Sequence, residues 1–202
     1  MEIRVLTKDD AKSFSNLIVN MYSNLENLEW FTPMPYDLEN VIGMIENPRF
    51  YIIGAFIDGN LVGVSSLDYK CGKLIGKIDF PKDCNTDKLV EIGFNIVHSD
   101  YRGRKIMQQL IDILLEKLKK DNFEYVFTKV HEDNIASNKS CVNKGFEKWC
   151  HYTKPVNKTD FEYLSNQPFF CEQGKINASK TLEKFKDYKE IIVQYNILIH
   201  RL

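Results

Sequence analysis

The sequence predicts a single α/β domain, a mixed β-sheet of six to seven strands with about four helices packed against it. Three observations carry that prediction. Short β-rich apolar runs alternate with amphipathic helical stretches along the chain. Two of the apolar runs are joined by Asp58-Gly59-Asn60, a strong hairpin signal. No linker, internal repeat or low-complexity tract divides the 202 residues.

Residues 2–6 (EIRVL) read as a short strand. Thr7, Asp9 and Asp10 then offer capping side chains to a helix in which Phe14, Leu17, Ile18, Met21 and Leu25 recur at helical spacing. A proline-broken aromatic loop, NLEWFTPMPYD (27–37), leads to a second helix over 37–46. That helix stops before Pro48, because the residue preceding a proline disfavours helical angles. The hairpin follows, then a weaker strand at 73–80 and a buried strand over 88–97, KLVEIGFNIV. Ile106, Leu110, Ile113, Leu114 and Leu118 form one apolar stripe on a helix over 104–120, with Asp112, Glu116, Lys119 and Lys120 opposite. A strand at 124–130 comes next, then a helix over 134–144 with Gly145 as its C-cap, and a strand from 146. Residues 153–187 are mixed and polar, with a helix expected near 178–186. EIIVQYNILI (190–199) is apolar enough to lie inside the sheet. The segment 153–202 thus supplies C-terminal strands and an elaborated loop and helix.

Composition removes several function classes. Net charge is −1, from 27 basic and 28 acidic residues, so no global field recruits nucleic acid or an anionic membrane. Any anionic ligand has to be met by a local cluster. The five cysteines are scattered with no CxxC, which argues against a disulfide framework or a zinc site and fits a reducing cytoplasm. The N-terminus is charged from its second residue and lacks the apolar core of a signal peptide. No window approaches the roughly 18 apolar residues that span a bilayer. The expected protein is cytoplasmic, with no metal, nucleic-acid or membrane partner.

One stretch concentrates charge. VHSDYRGRKIMQQL (97–110) joins a strand to a helix and sets Arg102, Arg104 and Lys105 at the junction. A helix N-terminus presents unpaired N–H groups and the positive end of the dipole, and cations there are mildly unfavourable unless an anion joins them; a solvated basic helix start is the alternative reading of this segment. Walker A and dinucleotide-binding glycine patterns are both missing from the chain.

That stretch resembles the acetyl-CoA-binding motif of the GNAT N-acetyltransferases, V-x-P-x-Y-R-G-x-G-x-G/A followed by a helix. Val97, His98, Asp100, Tyr101, Arg102, Gly103 and Ile106 fit, whereas Ser99 replaces the proline, and Lys105 and Met107 replace the later small residues. NIASNKSCVNKGF (134–146) resembles the family's downstream motif through Asn134, Ser137, Lys144, Gly145 and Phe146, with Cys141 where many members have tyrosine. Together the motifs and the element order cover residues 1–152.

The resemblance implies a sheet splayed at the cofactor site and acetyl-CoA as co-substrate. Backbone groups of Ile96 and Val97 would pair with the pantetheine arm. N–H groups from Arg102 through Gly103, Arg104, Lys105 and Ile106 to Met107 would receive the pyrophosphate, and Asn134 would reach the cofactor from the next helix. A side chain at 105 sits poorly at positive φ, so a helical conformation is expected there.

Acetyl transfer needs a neutral amine, whose ordinary pKa is about 10.4. In a regular strand residues 91, 93, 95 and 97 share a face. Glu91 therefore lines up with Val97, and its position also resembles the general base of the histone-acetyltransferase branch; the alternative is a strand-entry carboxylate exposed to water or paired with a lysine. His131 and Glu132 are alternative proton acceptors, directly or through water, although a loop position for His131 would leave it exposed. Cys141 stands at the family's general-acid position, with water as the alternative acid; a small buried hydrophobe is the competing reading of the residue. The acceptor, a small-molecule or peptide amine, is expected near 27–37 and 163–173, where Trp30, Phe31, Tyr36, Phe169 and Phe170 either line the pocket or pack as core. The extended residues 153–202 offer surface for a homodimer.

Overall fold

The computed structural model describes residues 1–70 and 77–202. Among these, seven strands form one sheet in the order β1-β2-β3-β4-β5-β7-β6. They are β1 (Glu2–Val5), β2 (Phe50–Ile57), β3 (Asn60–Asp68), β4 (Leu89–Val97), β5 (Tyr125–His131), β6 (Glu147–Asn157) and β7 (Glu190–Arg201). Every neighbouring pair is antiparallel except β4 and β5. As its apolar sequence predicts, β7 lies inside the sheet, between β5 and β6. Half of the strand expected at 73–80, residues 73–76, lies outside the described residues; within 77–80, Ile78 forms a single-residue bridge and no strand.

Helices cover both faces. Against one face pack α1 (Ala11–Ser23), α2 (Leu38–Glu46), α5 (Lys158–Ser165) and α6 (Glu172–Lys184). Against the other lie α3 (Ile106–Lys120) and α4 (Ile135–Val142). The α1 residues chosen from periodicity, Phe14, Leu17, Ile18 and Met21, are all buried, as is Leu25 just beyond it. Each such side chain contributes roughly 1.5–3 kcal/mol by leaving water. In α3 the buried set is Ile106, Leu110, Ile111, Leu114, Leu115 and Leu118, while Ile113, assigned to the stripe from sequence, is 37% exposed.

Among the described residues there are six α-helices, one more than the five placed from sequence. The addition is α5, and α6 begins six residues before the helix expected near 178. Both are weakly amphipathic: α5 buries only Phe161 and Leu164, and α6 buries Gly174, Ala178 and Thr181. Their starts are fixed by caps, Asn157 Oδ1 accepting from the Thr159 amide at 3.1 Å and Cys171 Sγ from the Gly174 amide at 3.4 Å.

Two glycines place the elements that matter for the site. A Cβ on Gly63 of β3 would sit 2.9 Å from Ile106 Cγ2, so glycine there lets the first turn of α3 approach the sheet. Gly145 has φ of 82° just past α4, with its amide bonded to the Val142 carbonyl at 3.0 Å; this is the predicted left-handed stop.

Candidate active site

Parallel pairing of β4 with β5 covers only Leu89↔Tyr125, Val90↔Val126 and Glu91↔Phe127. Beyond that row the strands part. The far edge of β4 stays paired with β3 as far as Gly63↔Val97, and β5 stays paired with β7 as far as His131↔Tyr195. A wedge therefore opens in the middle of the sheet.

An irregularity in β4 sharpens the wedge. Between Ser66↔Gly93 and Val64↔Ile96, β3 advances two residues and β4 advances three. The extra residue is a bulge at Phe94, whose φ is 50°. It reverses the facing pattern: Val90 and Ile92 pack in the α3 cluster before it, while Val97 belongs to that cluster after it and Ile96 to the opposite one. Glu91 and Val97 thus lie on opposite faces, not on one face as a regular strand would place them. The side-chain amide oxygen of Asn95 accepts from Ser65 Oγ at 2.7 Å.

The wedge ends at the start of α3. A 3-10 turn at Ser99–Tyr101 delivers extended Arg102, and the chain then reverses into the helix with positive φ at both Gly103 (78°) and Lys105 (60°). Lys105 is left-handed rather than helical as expected. The reversal has to be completed in three residues and needs the conformation a glycine gives freely. A non-glycine residue there costs roughly 1–2 kcal/mol. Arg102, Gly103, Arg104 and Lys105 are exposed, and among the described residues their three cations have no carboxylate partner within ion-pair distance. Arg104 stacks over Tyr101 at 4.8 Å. No described acceptor takes the backbone N–H groups from Gly103 to Gln108, so this end of α3 presents open donors and positive charge together.

Between wedge and helices lies a cavity of about 490 Å³. Trp30, Phe31, Pro33 and Met34 from the aromatic loop form one wall, as the sequence suggested. The segment 163–173 does not reach it. Phe170 is core, and Phe169 packs edge-on against Tyr36. The polar lining includes Glu91, Lys129, His131, Asn134 and Lys154.

Glu91 is 8% exposed, and its Oε1 lies 2.8 Å from Lys129 Nζ. Burial pushes the carboxyl up from its ordinary value, with Lys129 pulling it back down. His131 is buried, not exposed. Burial lowers its pKa, and its Nδ1 accepts from the Asp133 amide at 3.2 Å. With Nδ1 accepting, a neutral ring carries its proton on Nε2. Asn134 caps α4 by accepting from the Ser137 amide at 3.1 Å, and both residues line the cavity. Glu132 lies outside the lining.

Cys141 is not in the cavity. It is 2% exposed in the apolar cluster under α3, and burial pushes its thiol up to about 12. The side chain at 141 packs into this cluster and is not among the cavity-lining residues. Lys129, Lys154, Tyr152, Tyr195 and Ser66 were not singled out from sequence; only the sheet order β3-β4-β5-β7-β6 brings them together.

This arrangement matches known proteins. The sequence profile of the acetyltransferase (GNAT) family fits residues 15–146. The chain belongs to the GNAT acetyltransferase family. A Bacillus subtilis relative described as an uncharacterized N-acetyltransferase, YoaA, is 27% identical over 150 residues, spanning 72% of this chain and 78% of that one. A Brucella melitensis ribosomal-protein-alanine N-acetyltransferase superimposes with a TM-score of 0.66 at 18% identity, covering all of both chains. The Salmonella typhimurium putative acetyltransferase yncA, solved with its cofactor acetyl-CoA, gives 0.63 at 13% identity over 100% of this chain and 94% of that one. These GNAT structures share the fold of this chain. Among the described residues no His, Cys, Asp or Glu group could hold a metal ion, and no helix is long and apolar enough to cross a membrane.

Proposed function

We propose that this GNAT protein is an acetyl-CoA-dependent N-acetyltransferase that moves an acetyl group directly to a primary amine of a small molecule or protein. The observation that carries the reading is the wedge after Glu91↔Phe127, with the unpaired N–H groups and cations of the α3 N-terminus at one end and a buried carboxylate at the other. Open backbone donors of Gly103 to Met107 suit a pyrophosphate, and the edge of β4 that β5 abandons suits an extended amide-bearing arm along Ile96 and Val97. Asn134 faces the same space.

Acetyl-CoA supplies an acetyl group activated as a thioester. Glu91, made more basic by burial, accepts the proton that the amine sheds as its nitrogen bonds to the acetyl carbon and the carbon–sulfur bond breaks. His131 lines the same cavity and offers its second ring nitrogen, Nε2, as a donor to the bound groups. The departing thiolate is of ordinary thiol acidity, so water serves as its proton source. The test is release of free thiol from acetyl-CoA with a panel of amines. Absence of release with every amine, alongside intact coenzyme A binding, would identify a non-catalytic acyl-CoA-binding module instead. The withdrawal of Cys141 from the cavity is what favours that second reading.

A further inference from the structure

The acceptor cavity is not electrically neutral. Its lining holds five cations and two carboxylates in a chain whose net charge is −1. Two of the cations are engaged: Lys129 with Glu91, and Arg49 with Asp68 in a two-pronged pair. Lys70, Lys77 and Lys154 have no carboxylate partner within 4.0 Å among the described residues. Lys154 lies deepest of the three, on β6 beside Tyr152, and its ordinary charge is resisted by burial and by Lys129 and Lys77 nearby.

These cations are not those of the α3 N-terminus. Glu91 and Val97 face Asp68 and Gly63 of β3, five strand steps or about 17 Å apart, and Lys154 lies within electrostatic reach of Glu91, Lys129 and Lys77. The Glu91 end carries orphaned polar atoms. Ser66 is 1% exposed and its Oγ has no hydrogen-bond partner among the described residues; neither has the buried Trp30 Nε1. Both residues line the cavity. Beside Ser66, a Cβ on Gly93 would meet nothing within 4 Å except Ser66 Oγ, at 3.7 Å, so that hydroxyl borders open space. Buried polar groups left unpaired are costly, and a ligand that pairs them recovers that cost.

We infer that the acceptor is an amine that also bears an anionic group, a carboxylate or a phosphate, which Lys154 binds while Ser66 and Trp30 complete its hydrogen bonding. The inference rests on the acetyl-transfer reading of the same cavity. It excludes polyamines and lysine-rich peptides as good acceptors, because their extra cations would face surplus lysines. The aromatic wall of Trp30, Phe31 and Met34 accommodates the apolar part of the acceptor.

The test uses matched pairs. Each standard amino acid is compared with its carboxamide, and phosphoethanolamine with ethanolamine, by acetylation rate. Binding to the protein with coenzyme A present is measured in parallel by tryptophan fluorescence. The acidic member of at least one pair is expected to exceed its neutral partner about tenfold or more in kcat/KM and in affinity. Lys154→Met should bring the two members of that pair within about twofold, and Lys154→Arg should keep the preference. The phosphate and carboxylate arms distinguish which anion is used. Equal binding of both members in every pair, or a preference that survives Lys154→Met, overturns the inference. Acid-selective, Lys154-dependent binding without turnover on any amine sustains the anion site while sinking the acetyl-transfer reading, and with it the ligand's role as acceptor.

Discussion

The Glu91 carboxylate sits 2.8 Å from the Lys129 ammonium, at the row where β4 and β5 stop pairing. Both side chains are largely withdrawn from water, at 11% and 29% exposure. Burial raises the Glu91 pKa and the lysine opposes the rise, so the pair sets how strong a base the cavity contains.

Replacing Glu91 by glutamine keeps the shape and removes the proton acceptor. Loss of a positioned general base costs roughly 10²–10⁴ in rate. In Glu91→Gln, kcat/KM for the amine should fall within that range at neutral pH, and the acid limb of its pH profile should disappear. An unaltered limb would assign the base elsewhere.

Lys129→Met tests the coupling. Without the ammonium the carboxylate loses the charge that favours its ionised form, so the Glu91 pKa moves further up. The acid limb of the kcat/KM profile should shift to higher pH than in the parent protein. A shift to lower pH, or none, would show that the two groups do not share the reaction.

Much of this fold can be read from the chain because local signals and tertiary demands agree. The Asp58-Gly59 turn, the α1 periodicity and the apolar β7 run each specify one outcome. The failures have local causes. The bulge at Phe94 inverts strand phase and leaves no compositional mark, so alternation misassigned the faces of Glu91 and Val97. Helices α5 and α6 bury few apolar residues and are started by Asn157 and Cys171 side chains rather than by a stripe. At the site, Glu91 and Asn134 were legible from motif position. Lys154 and Ser66 reach the cavity only through sheet order and register, which a single sequence does not encode locally.

Lys105 carries the left-handed conformation that glycine would adopt freely. Lys105→Gly should leave stability unchanged or raise it by up to about 1 kcal/mol, relief of strain being partly offset by the greater freedom of an unfolded glycine. Gln109→Gly, inside α3, should instead cost about 1 kcal/mol. Chemical denaturation of the two variants side by side checks the contrast, and equal losses would refute a strained Lys105.

Cys141 separates packing from catalysis. As a core residue beneath α3, its replacement by alanine should cost about 1 kcal/mol of stability through lost burial. The rate of acetyl transfer by the folded variant, and its pH profile, should match the parent. A rate loss of tenfold or more at full folding would return the thiol to the reaction.

Far from the cavity, Asp10 joins the first strand to the first helix. Arg4 binds it with both guanidinium arms, Nη1 to Oδ2 and Nη2 to Oδ1 at 2.7 Å each, and the Thr7 amide donates to Oδ2 at 2.8 Å. The Arg4 pairing holds the Asp10 pKa down at about 2. A carboxylate whose folded pKa is depressed stabilises the protein fully above its unfolded value, near 3.9, and loses that contribution as pH falls towards the folded value. The window is therefore about pH 4 to 2, in which the unfolded chain takes up the proton first. The shift corresponds to about 2 kcal/mol at neutral pH. Asp10→Asn should lose about that much in urea denaturation at pH 7, and the gap from the parent should narrow below pH 4 and close near pH 2. A gap that stays constant across that range would mean the pair contributes through shape and hydrogen bonding alone, not through charge.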